Sequence, residues 1–361
     1  MTLRHTALTE IHRAAGARMA DFGGWEMPIE YPTGVVAEHT AVRTGVGVFD
    51  VSHMGKLVVR GPGAAAALNG VLANDLDRIG PGQAQYSMLL NDAGGVVDDL
   101  IAYLVGDDEV RIVPNAANAA AVRDALTAAL PDGVVVADRH EVEGIVAVQG
   151  PDSRHVLAAL GLLPADADLP YMAFTTSTYG GLPAVVCRTG YTGEHGYEVI
   201  IGAEALPGLW AAVTQRATPC GLGARDTLRT EMGYPLHGQD LSPSITPVEA
   251  GLSWAVGWDK PAFAGREAVA AQRAAGRPRA LRGLRVEGRG IPRAHMAVLR
   301  PDGSPAGQTT SGTFSPTLRV GIALALVDPA LTFGDEVAID VRGRAVPARI
   351  VRLPFVESSP K

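Results

Sequence analysis

Three stretches of the chain concentrate residue types that do chemistry. The first is Val96-Val97-Asp98-Asp99-Leu100-Ile101, two acids inside an apolar run. The run reads as a strand, whose neighbouring side chains point to opposite faces, so only one of the two carboxylates is expected in a given pocket. A carboxylate on a buried sheet face is costly unless it is hydrogen-bonded or paired, and that makes the pair a candidate for acid–base work. Spacing does not choose between Asp98 and Asp99, and both could equally sit at the mouth of a hairpin, solvated or bonded to turn amides.

The second stretch is Arg188-Thr-Gly-Tyr-Thr-Gly-Glu-His-Gly-Tyr-Glu198. Gly190, Gly193 and Gly196 permit positive φ and close backbone approach to a ligand, Tyr191 and Tyr197 offer stacking faces, and Glu198 is an acceptor. No Gly-Lys-Ser/Thr closes this loop and no GxGxxG occurs in it, which disfavours phosphate or dinucleotide binding. The alternative is a plain connection between strands. The third stretch, Cys220-Gly-Leu-Gly-Ala-Arg225-Asp226-Thr-Leu-Arg229, turns into a helix with Arg225 in its first turn. A cation there opposes the helix dipole and calls for a ligand carboxylate, a carbonyl or a protein acid, so a structural Arg–Asp or Arg–Glu pair is the competing account. His39, His53 and His237 lie near these segments, but no HxxxH or His/Cys ligand set exists, so no metal is expected. No GxSxG elbow supports a serine hydrolase.

The elements that must position these groups follow from periodicity. Short helices are expected over Thr6–Ala15 and Val35–Arg43, with an irregular loop, Asp21 to Tyr31, between them carrying Trp25 and Tyr31, which either stand exposed and line a pocket or cap a core edge. Strands over 56–60, 85–90, 96–105 and 110–113 alternate with helices over 64–72 and 115–130, Asn91-Asp-Ala-Gly-Gly is a hairpin turn, and Asn115 is a plausible N-cap. The pattern recurs with strands over 145–148, 173–177, 184–188 and 198–201 and helices over 153–160 and 205–216. Antiparallel sheets with single helices make this α+β rather than doubly wound. A helix near 265–275 ends at Gly276-Arg-Pro-Arg, the clearest linker, and the strands that follow read as an all-β domain. We therefore divide the chain into residues 1–276 and 277–361.

Composition removes several classes. At 361 residues with 47% hydrophobic and 19% charged side chains, the chain is globular with room for two or three units. A net charge of −7 argues against nucleic acid or an anionic membrane as partner. Two cysteines outside any CxxC motif, no apolar leader and no run of about 18 apolar residues point to a reducing, cytoplasmic setting. Lysine appears only at positions 56, 260 and 361, so nearly every positive charge is an arginine.

Taken in order, Asp21-Phe-Gly-Gly-Trp-Glu-Met-Pro28, Phe49-Asp-Val-Ser-His-Met54, Gly94-Gly-Val-Val-Asp-Asp-Leu100, Val148-Gln-Gly-Pro151, Gly190-Tyr-Thr-Gly-Glu194, Gly221-Leu-Gly-Ala-Arg-Asp226 and Thr310-Ser-Gly312 resemble the aminomethyltransferase, or T-protein, family of the glycine cleavage system. The resemblance runs nearly end to end. It implies two intertwined α+β subdomains and a C-terminal β barrel around a central folate channel. It also implies transfer of a one-carbon unit from the aminomethyl group on the lipoyl arm of H-protein to tetrahydrofolate, with ammonia released and no metal. By the same resemblance Asp98 is the catalytic member of the acid pair and Glu198 a folate-binding carboxylate. Arg225 is a folate-binding arginine that meets either a pterin carbonyl or a folate carboxylate, and Met54, Tyr86, Asn115, Tyr191 and Trp254 line the channel.

Two positions depart from the family pattern. Pro114 precedes Asn115, and the tail after Phe355 lacks a Tyr that some members carry. Arg277, Arg279, Arg282, Arg285, Arg289 and Arg293 are a candidate H-protein docking patch or a solvated face. The competing functions are a folate-dependent demethylase on the same fold and a non-catalytic folate-binding protein of iron–sulfur assembly. The latter kind carries a Lys-Gly-Cys-Tyr loop that this chain lacks.

Overall fold

The structure, a computed structural model, describes residues 2–358 and 360 except 165 and 167; Met1 and, in the tail, Ser359 and Lys361 lie outside the described residues. One sheet has the strand order Phe174–Tyr179, Leu182–Cys187, Gly196–Gly202, Glu143–Gln149, Gly47–Asp50, Thr218–Pro219, antiparallel except for its last pair. A second, wholly antiparallel sheet runs Gln83–Leu90, Val96–Gly106, Glu109–Pro114, Leu57–Arg60, Val135–Asp138. Every residue of the second sheet lies between Asp50 and Glu143, yet Asp50 pairs with Val146 in the first. The second sheet is thus a large insertion between two adjacent strands of its neighbour, and this makes the two units intertwined.

Each sheet buries one face under helices. Ser153–Ala159 and Leu206–Thr214 cover the first through Val156, Leu157, Leu209, Trp210 and Val213. Ala64–Asn69 and Ala119–Ala129 cover the second through Leu68, Val122 and Leu126. These are the residues the 3.6-residue periodicity places on one stripe.

The C-terminal unit is a closed six-stranded barrel of Ala280–Val286, Val320–Val327, Pro305–Ser315, Ala297–Leu299, Glu336–Asp340 and Ala345–Val351. Along Val320–Val327 the alternation is apolar on both sides. Ala323, Ala325 and Val327 fill the barrel, while Leu324 and Leu326 pack outward against Leu241, Ile245 and Val248. A strand apolar on both faces must be covered on both, and here that docks the barrel onto the rest of the chain. The helix Leu222–Met232 completes the joint. Its fully buried Glu231 accepts hydrogen bonds from Arg43 (2.8 Å), Thr317 (2.9 Å) and Ser315, tying that helix to the Val35–Thr44 helix and to the barrel.

Two local expectations are resolved by the structure, and one strand is added to them. Residues 18–30 form a hairpin, Arg18–Phe22 with Trp25–Glu30, because Gly23 and Gly24 take φ of 61° and 85° and close the turn. Trp25 and Tyr31 are buried, not exposed, at 3% and 6% accessibility. The alternation of Trp25 and Met27 carries them inward against Leu222, and the Arg4 guanidinium covers the Trp25 ring at 4.1 Å. Pro305–Ser315 is a strand that its Gly, Ser and Thr content concealed, with a register shift between Thr309 and Ser311. The lysines also find a use. Lys56 and Lys260 are buried and donate to backbone carbonyls of Ser52 (2.6 Å) and of Leu72 and Asn74 (2.6 and 2.9 Å), and burial lowers their pKa to about 7 and about 8.

Candidate active site

Asp98 and Asp99 follow a register shift in the pairing of their strand, where Leu89 faces Asp98, Leu90 faces Val96, and Val97 is left unpaired. The adjoining strand ends at Pro114, opposite Leu100, so Asn115 lies just past the strand end and reaches back over both acids. Its backbone N–H donates to Asp98 Oδ2 (2.9 Å), and its side-chain amide donates to Asp98 Oδ1 and to the Oδ1 and carbonyl of Asp99 (2.9 Å each). Asn118 Nδ2 adds a bond to Asp98 Oδ1 at 2.7 Å. Strict alternation would have separated the two acids; instead one amide holds both. The expected capping role of Asn115 is likewise corrected. The helix starts at Ala119 after a short 3-10 turn, and neither asparagine caps it with a side chain, since both are turned to the carboxyls.

Asp98 has no exposed surface, and Asp99 is half-buried. Burial, and then the neighbouring Asp99 charge, push the Asp98 pKa up to about 8 against the downward pull of Asn118 and Asn115. Asp99 is raised too, by burial, with the Tyr86 hydroxyl, His237 and Asn115 opposing. Two carboxyls bridged by one amide titrate as a unit.

Tyr86 donates its hydroxyl to Asp99 Oδ2 at 3.0 Å, and its ring is stacked by Trp254 at 5.6 Å. Trp254 is 64% exposed, an open aromatic face at the edge of the site. Met54 is half-buried beside the same asparagine, since Gly55 N–H bonds the Pro114 carbonyl at 2.9 Å. On the other wall the Arg225 guanidinium lies 5.0 Å from the Tyr191 ring centre. Tyr191 gives its hydroxyl to the Pro235 carbonyl and stacks on Tyr234. Glu198, on the strand Gly196–Gly202, accepts from Thr189 Oγ1 at 2.6 Å.

Arg225 Nη1 is buried and has no hydrogen-bond partner among the described residues. Burial pulls its pKa down, with Glu198 and Tyr191 partly restoring it through space. The Arg225–acid pair proposed as the structural alternative does not form. Asp226 instead bonds Arg229 at 2.8 Å. A buried, unbonded guanidinium nitrogen near a half-buried carboxylate suits a ligand that presents both an acceptor and N–H donors.

Several participants were not picked out from sequence. Asn118 is hidden in a helical reading, Thr189 is an ordinary loop residue, and His237 was noted only for its neighbourhood. Asp240 carries no sequence signal at all, yet it is fully buried and holds the 236–241 turn by accepting from Leu236 N–H (2.9 Å), Arg229 (2.8 Å), Ser311 (2.8 Å) and Thr310. That is where the Thr310-Ser-Gly motif acts. Of the six arginines considered for docking, Arg279 is bonded to Glu249 (2.8 Å), Arg277 and Arg282 are half-buried, and Arg285, Arg289 and Arg293 are exposed.

Two concavities lie elsewhere. One of about 360 Å³ on the second sheet is lined by Arg60, Arg111 and Arg139, each already paired with Glu109 or Glu143. Another of about 340 Å³ lies by Arg4, Thr6 and His140. Neither is lined by Asp98, Asp99, Asn115, Asn118, Glu198 or Arg225, so chemistry rather than volume locates the site. Among the described residues no group of His, Cys, Asp or Glu is arranged to hold a metal ion, and no helix is long and apolar enough to cross a membrane.

The chain is similar to known proteins along nearly its whole length. Residues 8–260 match the GCVT N-terminal domain family, and residues 279–357 match the glycine cleavage T-protein C-terminal barrel domain family. A protein named aminomethyltransferase from Parafrankia sp. (strain EAN1pec) is 59% identical over 366 residues, covering 99% of both chains. Another of that name from Mycolicibacterium paratuberculosis is 56% identical, covering 98% of this chain and 97% of that one. A crystal structure of glycine cleavage system aminomethyltransferase T from Bartonella henselae superposes with a TM-score of 0.93 at 35% identity, covering 99% of each chain.

Proposed function

The chain belongs to the glycine cleavage T-protein family and is an aminomethyltransferase; we propose that its acceptor is tetrahydrofolate, held by Glu198 and Arg225, and that its donor is the aminomethyl group on the lipoyl arm of H-protein. The observation that carries the reading is the unpartnered Arg225 Nη1 close to Glu198. Glu198 is suited to the paired N–H donors of a pterin's aminopyrimidine edge, and Arg225 to a pterin carbonyl or a folate carboxylate. Met54, Tyr86, Tyr191 and Trp254 supply apolar and aromatic faces for packing. Tetrahydrofolate brings the two nitrogens, N5 and N10, that take the carbon.

In the transfer the C–S and C–N bonds of the aminomethyl group break. Two new C–N bonds form, and the two protons released leave with ammonia and with the dihydrolipoyl thiol. Asp98 is assigned the proton handling and the stabilisation of positive charge developing at N5. A carboxyl raised to about 8 can lend or take a proton near neutral pH, and the Asn115 and Asn118 donors fix its orientation. Since Asp98 is sealed from solvent, ligand entry must displace a neighbour to reach it. Asn115 serves in this reading as a clamp on Asp98 rather than as a direct folate ligand.

We also place the domain boundary at residues 276/277, between the helix Arg266–Ala275 and the first barrel strand. A cytoplasmic setting follows from the reading of the cysteines. The deciding experiment measures ammonia release from aminomethylated H-protein with and without tetrahydrofolate. Release that depends on both supports the assignment. Demethylation of another donor in its place would favour a folate-dependent demethylase.

A further inference from the structure

His237 sits in the 236–241 turn with both ring nitrogens engaged. Nε2 lies 3.0 Å from the Val96 carbonyl, and Nδ1 lies 2.9 Å from Asn118 Nδ2. The same Asn118 Nδ2 is 2.7 Å from Asp98 Oδ1. The polarity of this chain of contacts is set from the Val96 end. A backbone carbonyl only accepts, so Nε2 carries the hydrogen and Nδ1 is left as an acceptor. Asn118 Nδ2 then spends one N–H on that acceptor and the other on Asp98. Turned over, the Asn118 amide would aim its oxygen at both a ring lone pair and a carboxyl oxygen.

We propose that His237 is a positioning residue: through its Nδ1 lone pair it holds the Asn118 amide in the one orientation that donates to Asp98. The turn that presents it is itself anchored by Asp240 to Arg229, one turn along the helix from Arg225, and to Thr310 and Ser311 of the barrel. The orientation of Asp98 is thus set partly by a unit that contributes no group to it directly. Removing the acceptor frees the amide to turn, which replaces a donor on Asp98 by an oxygen. That change alters the protonation and aim of the acid, not the contacts at Glu198 and Arg225.

The inference rests on the aminomethyltransferase reading for its activity test. Three substitutions separate acceptor from bulk. His237→Asn places an amide oxygen near the Nδ1 position and can accept from Asn118. His237→Gln reaches the Nε2 position and the Val96 carbonyl but leaves Nδ1 empty, and His237→Leu has neither. We expect kcat for ammonia release to fall about tenfold in His237→Gln and His237→Leu and less than about threefold in His237→Asn, with KM for tetrahydrofolate within about twofold throughout. Asn118→Ala should cost as much as His237→Gln, and the double variant no more than Asn118→Ala alone.

A loss in His237→Asn as deep as in His237→Gln, or one that falls on KM, overturns the proposal, and so does full additivity in the double variant. If wild type releases no ammonia from aminomethylated H-protein, the functional reading fails. The inference is then decided by the side-chain amide resonances of Asn118, which should shift in His237→Gln and stay in His237→Asn. The opposite pattern sinks it.

Discussion

Replacing Asp98 by Asn tests the site most directly, and the structure sets the size of its effects. The new amide can keep its oxygen at the Oδ1 position, where Asn115 and Asn118 donate at 2.9 and 2.7 Å. Its NH2 then replaces Oδ2 and faces the Asn115 backbone N–H, formerly a 2.9 Å hydrogen bond. The reverse orientation loses two bonds instead of one. The better orientation leaves two buried donors opposed, a cost of about 1–3 kcal/mol and a Tm lowered by a few degrees.

This penalty depends on pH in an unusual direction. The folded-state pKa of Asp98 is raised to about 8 from the ordinary 3.8 of an aspartate, by burial first and Asp99 second. A raised carboxyl binds its proton more tightly when folded. Its stabilisation is therefore complete below about 4 and is lost as pH rises through about 8. Asp98→Asn has no such proton, so its deficit against wild type should be largest near pH 5 and narrow by pH 9.

Turnover with aminomethylated H-protein should drop about 10²–10⁴-fold, as for a positioned acid or base. Folate affinity should hold, because Glu198 and Arg225 are untouched. Scanning calorimetry at the two pH values and the ammonia assay read both effects. A stability gap that does not change with pH, or full turnover in Asp98→Asn beside a large loss in Asp99→Asn, would refute the reasoning and transfer the role to the half-buried neighbour.

Other substitutions give equally distinct outcomes. Arg225→Ala should leave the stability of the free chain within about 1 kcal/mol, since the stacking on Tyr191 and the through-space attraction to Glu198 are lost but a buried unbonded nitrogen is removed with them, while weakening folate binding about 10–100-fold by calorimetry. Glu198→Ala should weaken the same binding, and wild-type affinity in both variants would remove the proposed pocket. Burial pushes the Glu231 pKa up, but hydrogen bonds from His39 and Ser315 and the Arg43 charge outweigh it and bring it down to about 2. The stabilisation from Glu231 is present above about 4.5 and lost as pH falls towards 2, so Glu231→Gln should cost about 3–5 kcal/mol at pH 7 in denaturant melts and flatten the acid limb of stability. Gly95→Ala would set a Cβ 1.8 Å from the Pro243 carbonyl oxygen and should lower stability by about 2 kcal/mol or more, with loss of the close approach between that hairpin turn and the 243 loop.

The sequence was most informative where local pattern and long-range packing agree. The two helices over the second sheet follow from periodicity because each has one partner face. The hairpin at 18–30 was missed because Gly23, Gly24 and Pro28 read as loop, and only the burial of Trp25 and Met27 against Leu222 makes it a ladder. Asn115 looked like a cap because capping is the commonest local use of such a residue, whereas its actual partners stand 16 and 17 positions earlier on another strand. The acid pair was recognised as chemical, but its common amide depends on a register shift that no pattern shows. Arg225 was suspected from the helix dipole and from the family resemblance. That it forms no ion pair with an acid among the described residues is a fact of three dimensions.

The insertion of one sheet between adjacent strands of another also governs how the chain is made. Gly47–Asp50 leaves the ribosome with Val48 and Phe49, both fully buried in the finished protein, while its neighbour Glu143–Gln149 is still to be synthesised. Roughly ninety residues intervene, about 5–20 s of translation, during which that apolar strand has neither of its final edges paired. The inserted sheet, complete once Val135–Asp138 has emerged, can close on itself before its host can. Assembly is therefore expected to run from the inside outward: the acid-bearing module forms first, the host sheet then closes beside it, and the barrel arrives last to lock the turn that carries His237.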